Sequence, residues 1–77
     1  MDLMKYIISD CGAPLLFSKE ILHNQVLQSG RSAGFLFLKF DLANRKVKAH
    51  CFGRSTTLNL TASAREDQVI IEAFLNK

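Results

Sequence analysis

The chain has 77 residues, of which 48% are hydrophobic and 22% charged, and its net charge is +3. That balance excludes a disordered tail and indicates one packed domain, residues 1 to 77, which buries only about 60–65% of the surface its unfolded chain exposes. The longest apolar run, "AGFLFL" at 33 to 38, is far short of the roughly 20 residues a helix needs to cross a bilayer, and two cysteines, Cys11 and Cys51, are too few for a disulfide scaffold.

The N-terminal "MDLMKYIISD" has an acid at position 2 and Lys5 inside its apolar stretch, so it lacks the basic-then-apolar order of a secretory signal. A cytoplasmic location, no membrane contact and free thiols are therefore expected. Scaled by length, the unfolding free energy is roughly 4–11 kcal/mol, a margin that one lost core contact can exhaust.

Two apolar runs, "LMKYIIS" (3 to 9) and "PLLFS" (14 to 18), flank the turn-forming "DCGA" and predict an N-terminal hairpin. Pro14 suits the first position of an edge strand, where no ladder donor is required. Ser18 is placed to cap a helix over "KEILHNQVLQ" that ends before Gly30, with Ile21, Leu22, Val26 and Leu27 on its buried side and His23 and Gln25 pointing elsewhere.

From "SAGFLFLKFDLANRKVKAHCFG" the hydrophobic period changes from 3.6 to 2. Antiparallel pairing about "ANRK" puts Leu36, Leu38 and Phe40 on one face with Val47, Ala49 and Cys51. The opposite face carries Phe35, Phe37, Lys39 and Asp41 against Lys46, Lys48, His50 and Phe52, basic at the tip and aromatic at the root. Asp41 is expected across from Lys46 or Lys48.

"TTLNLTA" alternates again and predicts a third strand of the same sheet, with Leu58 and Leu60 inward. Ser63 and Glu66 have the spacing of a capping box at the start of a helix through Leu75. Val69, Ile70, Ala73 and Phe74 form its expected apolar side, while Asp67, Gln68 and Glu72 stay wet. The expected fold class is therefore α+β, in the order β-β-α-β-β-β-α: a mainly antiparallel sheet of about five strands with two helices.

Charge is concentrated where the period is 2. Between residues 39 and 54, Lys39, Arg45, Lys46, Lys48 and Arg54 face the single acid Asp41, whereas the remaining residues carry five cations against six acids. Phe35, Phe37, Phe52 and His50 thus form a candidate interaction surface, with those five cations as its rim. Lysines that keep an outer strand soluble are the plainer explanation of the same pattern.

A catalytic centre is not indicated. Cys11 with His23 or His50 has no supporting spacing, and His50 and Cys51 point to opposite faces of a strand, so no metal or other cofactor is expected. Glu66 and Asp67 are explained by the helix dipole.

The stretches "SAGF" (32 to 35), "CFGRSTTLNL" (51 to 60) and "REDQVIIEAFL" (65 to 75) together resemble a pattern in small bacterial proteins of unknown function. The resemblance spans roughly the C-terminal two thirds of the chain. It implies a bacterial cytosolic origin and brings no activity, ligand or site residue.

The function these features suggest is a non-enzymatic protein-protein interaction module that engages a protein partner or its own copy, as a homodimer through the hairpin at 33 to 52. The alternative is single-stranded nucleic-acid binding through the basic and aromatic face of the same hairpin.

Overall fold

The computed structural model describes residues 3–77. The elements run β1 (Leu3–Ile8), β2 (Pro14–Ser18), α1 (His23–Val26), β3 (Ser32–Asp41), β4 (Lys46–Phe52), β5 (Arg54–Ser55), β6 (Leu60–Thr61) and α2 (Ala64–Leu75). The first four strands form one antiparallel sheet in the order β2-β1-β3-β4, and β5 and β6 pair separately. The α+β class and the two helices are as the sequence predicts.

Strands β3 and β4 follow the predicted register. Leu36, Leu38 and Phe40 lie opposite Cys51, Ala49 and Val47, so both apolar sets share one face. That face joins Tyr6 and Ile8 of β1 and the helix residue Ile71 in a core whose members are almost fully buried. Helix α2 covers it. The short α1 lies on the other face, where its His23 ring stands edge-on to Phe17 and Phe35.

Five expectations are corrected. The helix predicted over 19 to 28 is reduced to His23–Val26. The Ser18 hydroxyl accepts the Glu20 amide at 3.2 Å and its carbonyl accepts Ile21 at 3.0 Å, which closes a turn where a longer helix would have begun. His23, expected to point away, is 3% exposed and Nε2 lies 3.0 Å from the Gly34 carbonyl oxygen, while Ile21 and Leu22 face solvent. A specific bond to the sheet outweighs the amphipathic period here.

The predicted third strand splits into β5 and β6. Gly53, at φ 79°, turns the chain away from β4, and Asn59, at φ 55°, closes the tight connection back to Leu60. The buried Ser55 hydroxyl accepts the Leu58 amide at 3.3 Å and so holds a turn where an extended strand was expected.

Helix α2 begins and ends where predicted but turns a different side inward. Val69 and Phe74 are exposed, Asp67 and Ile71 are buried, and Gln68 and Glu72 are half-buried. Their task explains the rotation. The side-chain oxygens of Gln68, Glu72 and Asn76 accept the backbone amides of Cys51, Ala49 and Val47 at 3.2, 2.8 and 2.8 Å. Four helical residues rise about 6.0 Å and two strand residues about 6.8 Å, so every fourth side chain meets every second outward amide. The helix thus acts as a surrogate neighbour for an edge strand that would otherwise leave its donors open.

The predicted capping box is also replaced. Ser63 is the N-cap residue without a side-chain bond, and the Asp67 carboxylate accepts the Ser63 amide at 2.9 Å. The same carboxylate accepts the Ser32 hydroxyl at 2.7 Å and the Tyr6 hydroxyl. Burial, followed by the adjacent Asp67, drives the Tyr6 phenol well above its ordinary range, so it stays a neutral donor.

Candidate functional site

The face of β3 and β4 turned away from α2 is built in rungs. Phe35 lies opposite Phe52, Phe37 opposite His50, Lys39 opposite Lys48 and Asp41 opposite Lys46. Consecutive rungs on one face are two residues apart, about 6.8 Å along the strand. Two aromatic rungs are therefore followed by a cationic one, then by a mixed pair next to the turn.

The root is partly covered. Phe52 stacks between Phe35 and Phe37, with ring centroids 6.0 and 5.5 Å away, and the His50 ring is 5.9 Å from it. Phe35 lies beneath His23, and the Lys5 ammonium sits 5.8 Å from its ring. Beyond Phe37 the cover ends. Lys39, Lys46, Lys48, His50 and Arg45 are all exposed.

Between the Phe37/His50 and Lys39/Lys48 rungs lies a pocket of about 290 Å³, lined by Phe37, Lys39, Lys48, Ala49 and His50. A second hollow of about 440 Å³ continues toward the tip, where Lys39 and Lys48 again contribute walls, together with Phe40, Asp41, Leu42 and Ala43. The two lysines stand between them. Like charges directly across a strand pair repel, and the one acid near them on this face, Asp41, feels the charge of Lys48 but directs its hydrogen bonds into the turn. The Asp41 carboxylate accepts the amides of Ala43 and Asn44 and the Asn44 side chain at 2.8 Å, an engagement that holds it below the usual carboxylate range.

Of the surface predicted from sequence, Phe37, His50, Lys39 and Lys48 converge on one pocket and Lys46 stands one rung further. Phe35 and Phe52 support it from below. Arg45 occupies the turn at φ 52°, and Arg54 is tied to Asn59 at 3.2 Å in the β5–β6 ribbon, away from the lysine rungs. Sequence reasoning missed His23, Phe17 and Lys5 as neighbours of this face. Lys5, Phe17 and Phe35 meet only once β1 is paired on both sides, and no local pattern carries that register.

The other reactive side chains stay apart. Cys11 is exposed on the β1–β2 turn, where the hydroxyl of Ser9, 3.1 Å from Sγ, holds its thiol below the ordinary value. Cys51 is buried, and burial, then the charge of Asp67, pushes its thiol up to about 11. Among the described residues no group of three or more His, Cys, Asp and Glu side chains could hold a metal ion, and no helix is long and apolar enough to cross a membrane.

Burial, assisted by the charge of Lys5, lowers the His23 pKa against the opposing pull of the Gly34 carbonyl. A histidine whose folded pKa is depressed binds fewer protons folded than unfolded, so stability holds above the unfolded value near ~6.5 and falls as pH drops toward the folded value. The urea midpoint should fall between about pH 7 and pH 5, with a smaller fall in His23→Gln. Equal slopes in the two proteins would contradict the assignment.

No family model matches the chain, and neither a curated protein nor a solved structure matches it. The resemblance noted above rests on its three stretches alone.

Proposed function

We propose that this protein is a non-enzymatic binding module whose contact surface is the open face of the β3–β4 hairpin, and that its partner is polyanionic. The single observation that carries this reading is the Lys39/Lys48 rung. The two lysines are register partners on adjacent strands, both exposed and both lining the hollows on either side, and the one acid beside them, Asp41, spends most of its hydrogen bonds in the turn. A pair placed only for solubility gains nothing from such mutual repulsion, whereas an anion seated between the two amines relieves it.

Self-association through the same face is less favoured on these grounds. A two-fold contact would bring a second set of Lys39, Lys46 and Lys48 against the first, which adds like charge at the rim. Phe35, the lower part of the aromatic root, is also covered by His23, so a copy of the chain would meet free apolar area mainly at Phe37. A foreign partner bearing phosphates or carboxylates suits the surface better.

Retention on an inorganic polyphosphate matrix at low salt tests the reading, with Lys48→Glu as the control. The substitution should abolish retention while raising the thermal midpoint, because it turns a repulsive rung into an attractive one. Unchanged retention in Lys48→Glu, or no retention of the parent protein at low salt, would sink the proposal.

A further inference from the structure

The lysine rung does not stand alone: the rung beneath it is aromatic, and the pocket lies between the two. Resting on the polyanion reading above, we infer that this pocket is a nucleotide subsite for single-stranded nucleic acid. The base lies against Phe37 and His50, and its phosphate lies between Lys39 and Lys48.

The walls make the assignment. The pocket of about 290 Å³ is mostly apolar and large enough to take a flat ring, and it opens beside the exposed imidazole of His50. The aromatic and cationic rungs are about 6.8 Å apart, the scale of the sugar that joins a base to its phosphate. An acidic peptide could use the amines but has no recurrent ring at that offset. A strand of nucleotides repeats ring and anion along its length, and the second hollow, which Lys39 and Lys48 share with Phe40, Asp41, Leu42 and Ala43, continues the surface toward the turn.

A duplex is disfavoured, because its bases are stacked inside and cannot lie on Phe37. Single strands expose their bases, and their stacking on aromatic side chains tolerates any sequence. Phe52, stacked on Phe37 with an interplanar angle of 21°, and His50, tilted by 32° against Phe52, hold the platform in place before a ligand arrives.

The test is binding of labelled oligothymidylate, with inorganic polyphosphate and polyglutamate of matched length as competitors. Oligothymidylate should bind more tightly than either competitor. Phe37→Leu, which keeps the site apolar but removes the ring, and His50→Ala, on an exposed side chain, should each weaken oligothymidylate roughly 5- to 150-fold and leave polyphosphate unchanged. Lys48→Ala should weaken both ligands and lower the salt slope by about 0.7.

If polyphosphate or polyglutamate binds as tightly as oligothymidylate, and Phe37→Leu and His50→Ala leave all three alike, the nucleotide subsite is overturned while the polyanion module stands. If no polyanion binds at low salt, both fall. Circular dichroism of each variant ensures that a loss is one of binding and not of fold.

Discussion

Asp67→Ala is expected to lower stability by about 3–5 kcal/mol, a large share of the reserve of a chain this short. The carboxylate is 2% exposed and receives three donors: the Tyr6 hydroxyl, the Ser32 hydroxyl and the Ser63 amide. Tyr6 and Ser32 are themselves buried, so removal of the acceptor strands two hydroxyls away from water at about 1–3 kcal/mol each, and it uncaps α2 as well. At the urea dependence of a small domain, the midpoint should fall by about 2 M or more. Tyr6→Phe alone should cost less, since Asp67 keeps two donors. Tyr6→Phe with Asp67→Ala should cost less than the sum of the two, because one orphan disappears. A loss below about 1 kcal/mol in Asp67→Ala would show that the network does not hold the helix.

Gly34→Ala is expected to cost about 3 kcal/mol, at the upper end of overpacking. A methyl group there would sit 2.5 Å from the Phe52 carbonyl oxygen and 3.0 Å from the Ala62 Cβ. Neither neighbour can swing aside: one is the backbone of β4, and the other is held by the Ala62 amide, which donates to the Gly53 carbonyl at 3.0 Å. The positive-φ glycines of this chain are Gly12 and Gly53, so close approach and not conformation reserves position 34 for glycine. The same carbonyl that anchors His23 belongs to Gly34, and the substitution should loosen α1 as well. Amide hydrogen exchange across Leu22 to Val26 would report it, and a urea midpoint equal to that of the parent would contradict the packing described.

The hairpin was legible in the sequence and the helix faces were not, for a physical reason. Alternation in β3 and β4 survives any choice of loop, because antiparallel pairing keeps residues of matching side together; Leu36 meets Cys51 and Lys39 meets Lys48 as a consequence. In α2 the inward side is set by a need that periodicity does not record. The outward amides of Val47, Ala49 and Cys51 require acceptors, and Gln68, Glu72 and Asn76 supply them at helical spacing. Periodicity therefore assigns to water polar residues that belong against an edge strand, and assigns to the core Val69 and Phe74, which are exposed. Asp67 reads as a helix-dipole acid until Tyr6 and Ser32 are brought to it from two other strands.

The candidate surface was legible to a similar depth. Its membership followed from alternation, so the exposure of Lys39, Lys46, Lys48 and His50 was foreseeable. The pocket between two particular rungs depended on register and on where α1 stops covering the sheet. That boundary is set by the bond from His23 to Gly34, which no local pattern announces.

Amide chemical-shift mapping with inorganic polyphosphate at low salt tests the central claim most directly. Shifts should concentrate on Phe37 to Lys39 and Lys46 to His50 and collapse on addition of salt, with α2 and β2 unmoved. Shifts centred on another face, or none at these residues under saturating polyphosphate, would contradict the account.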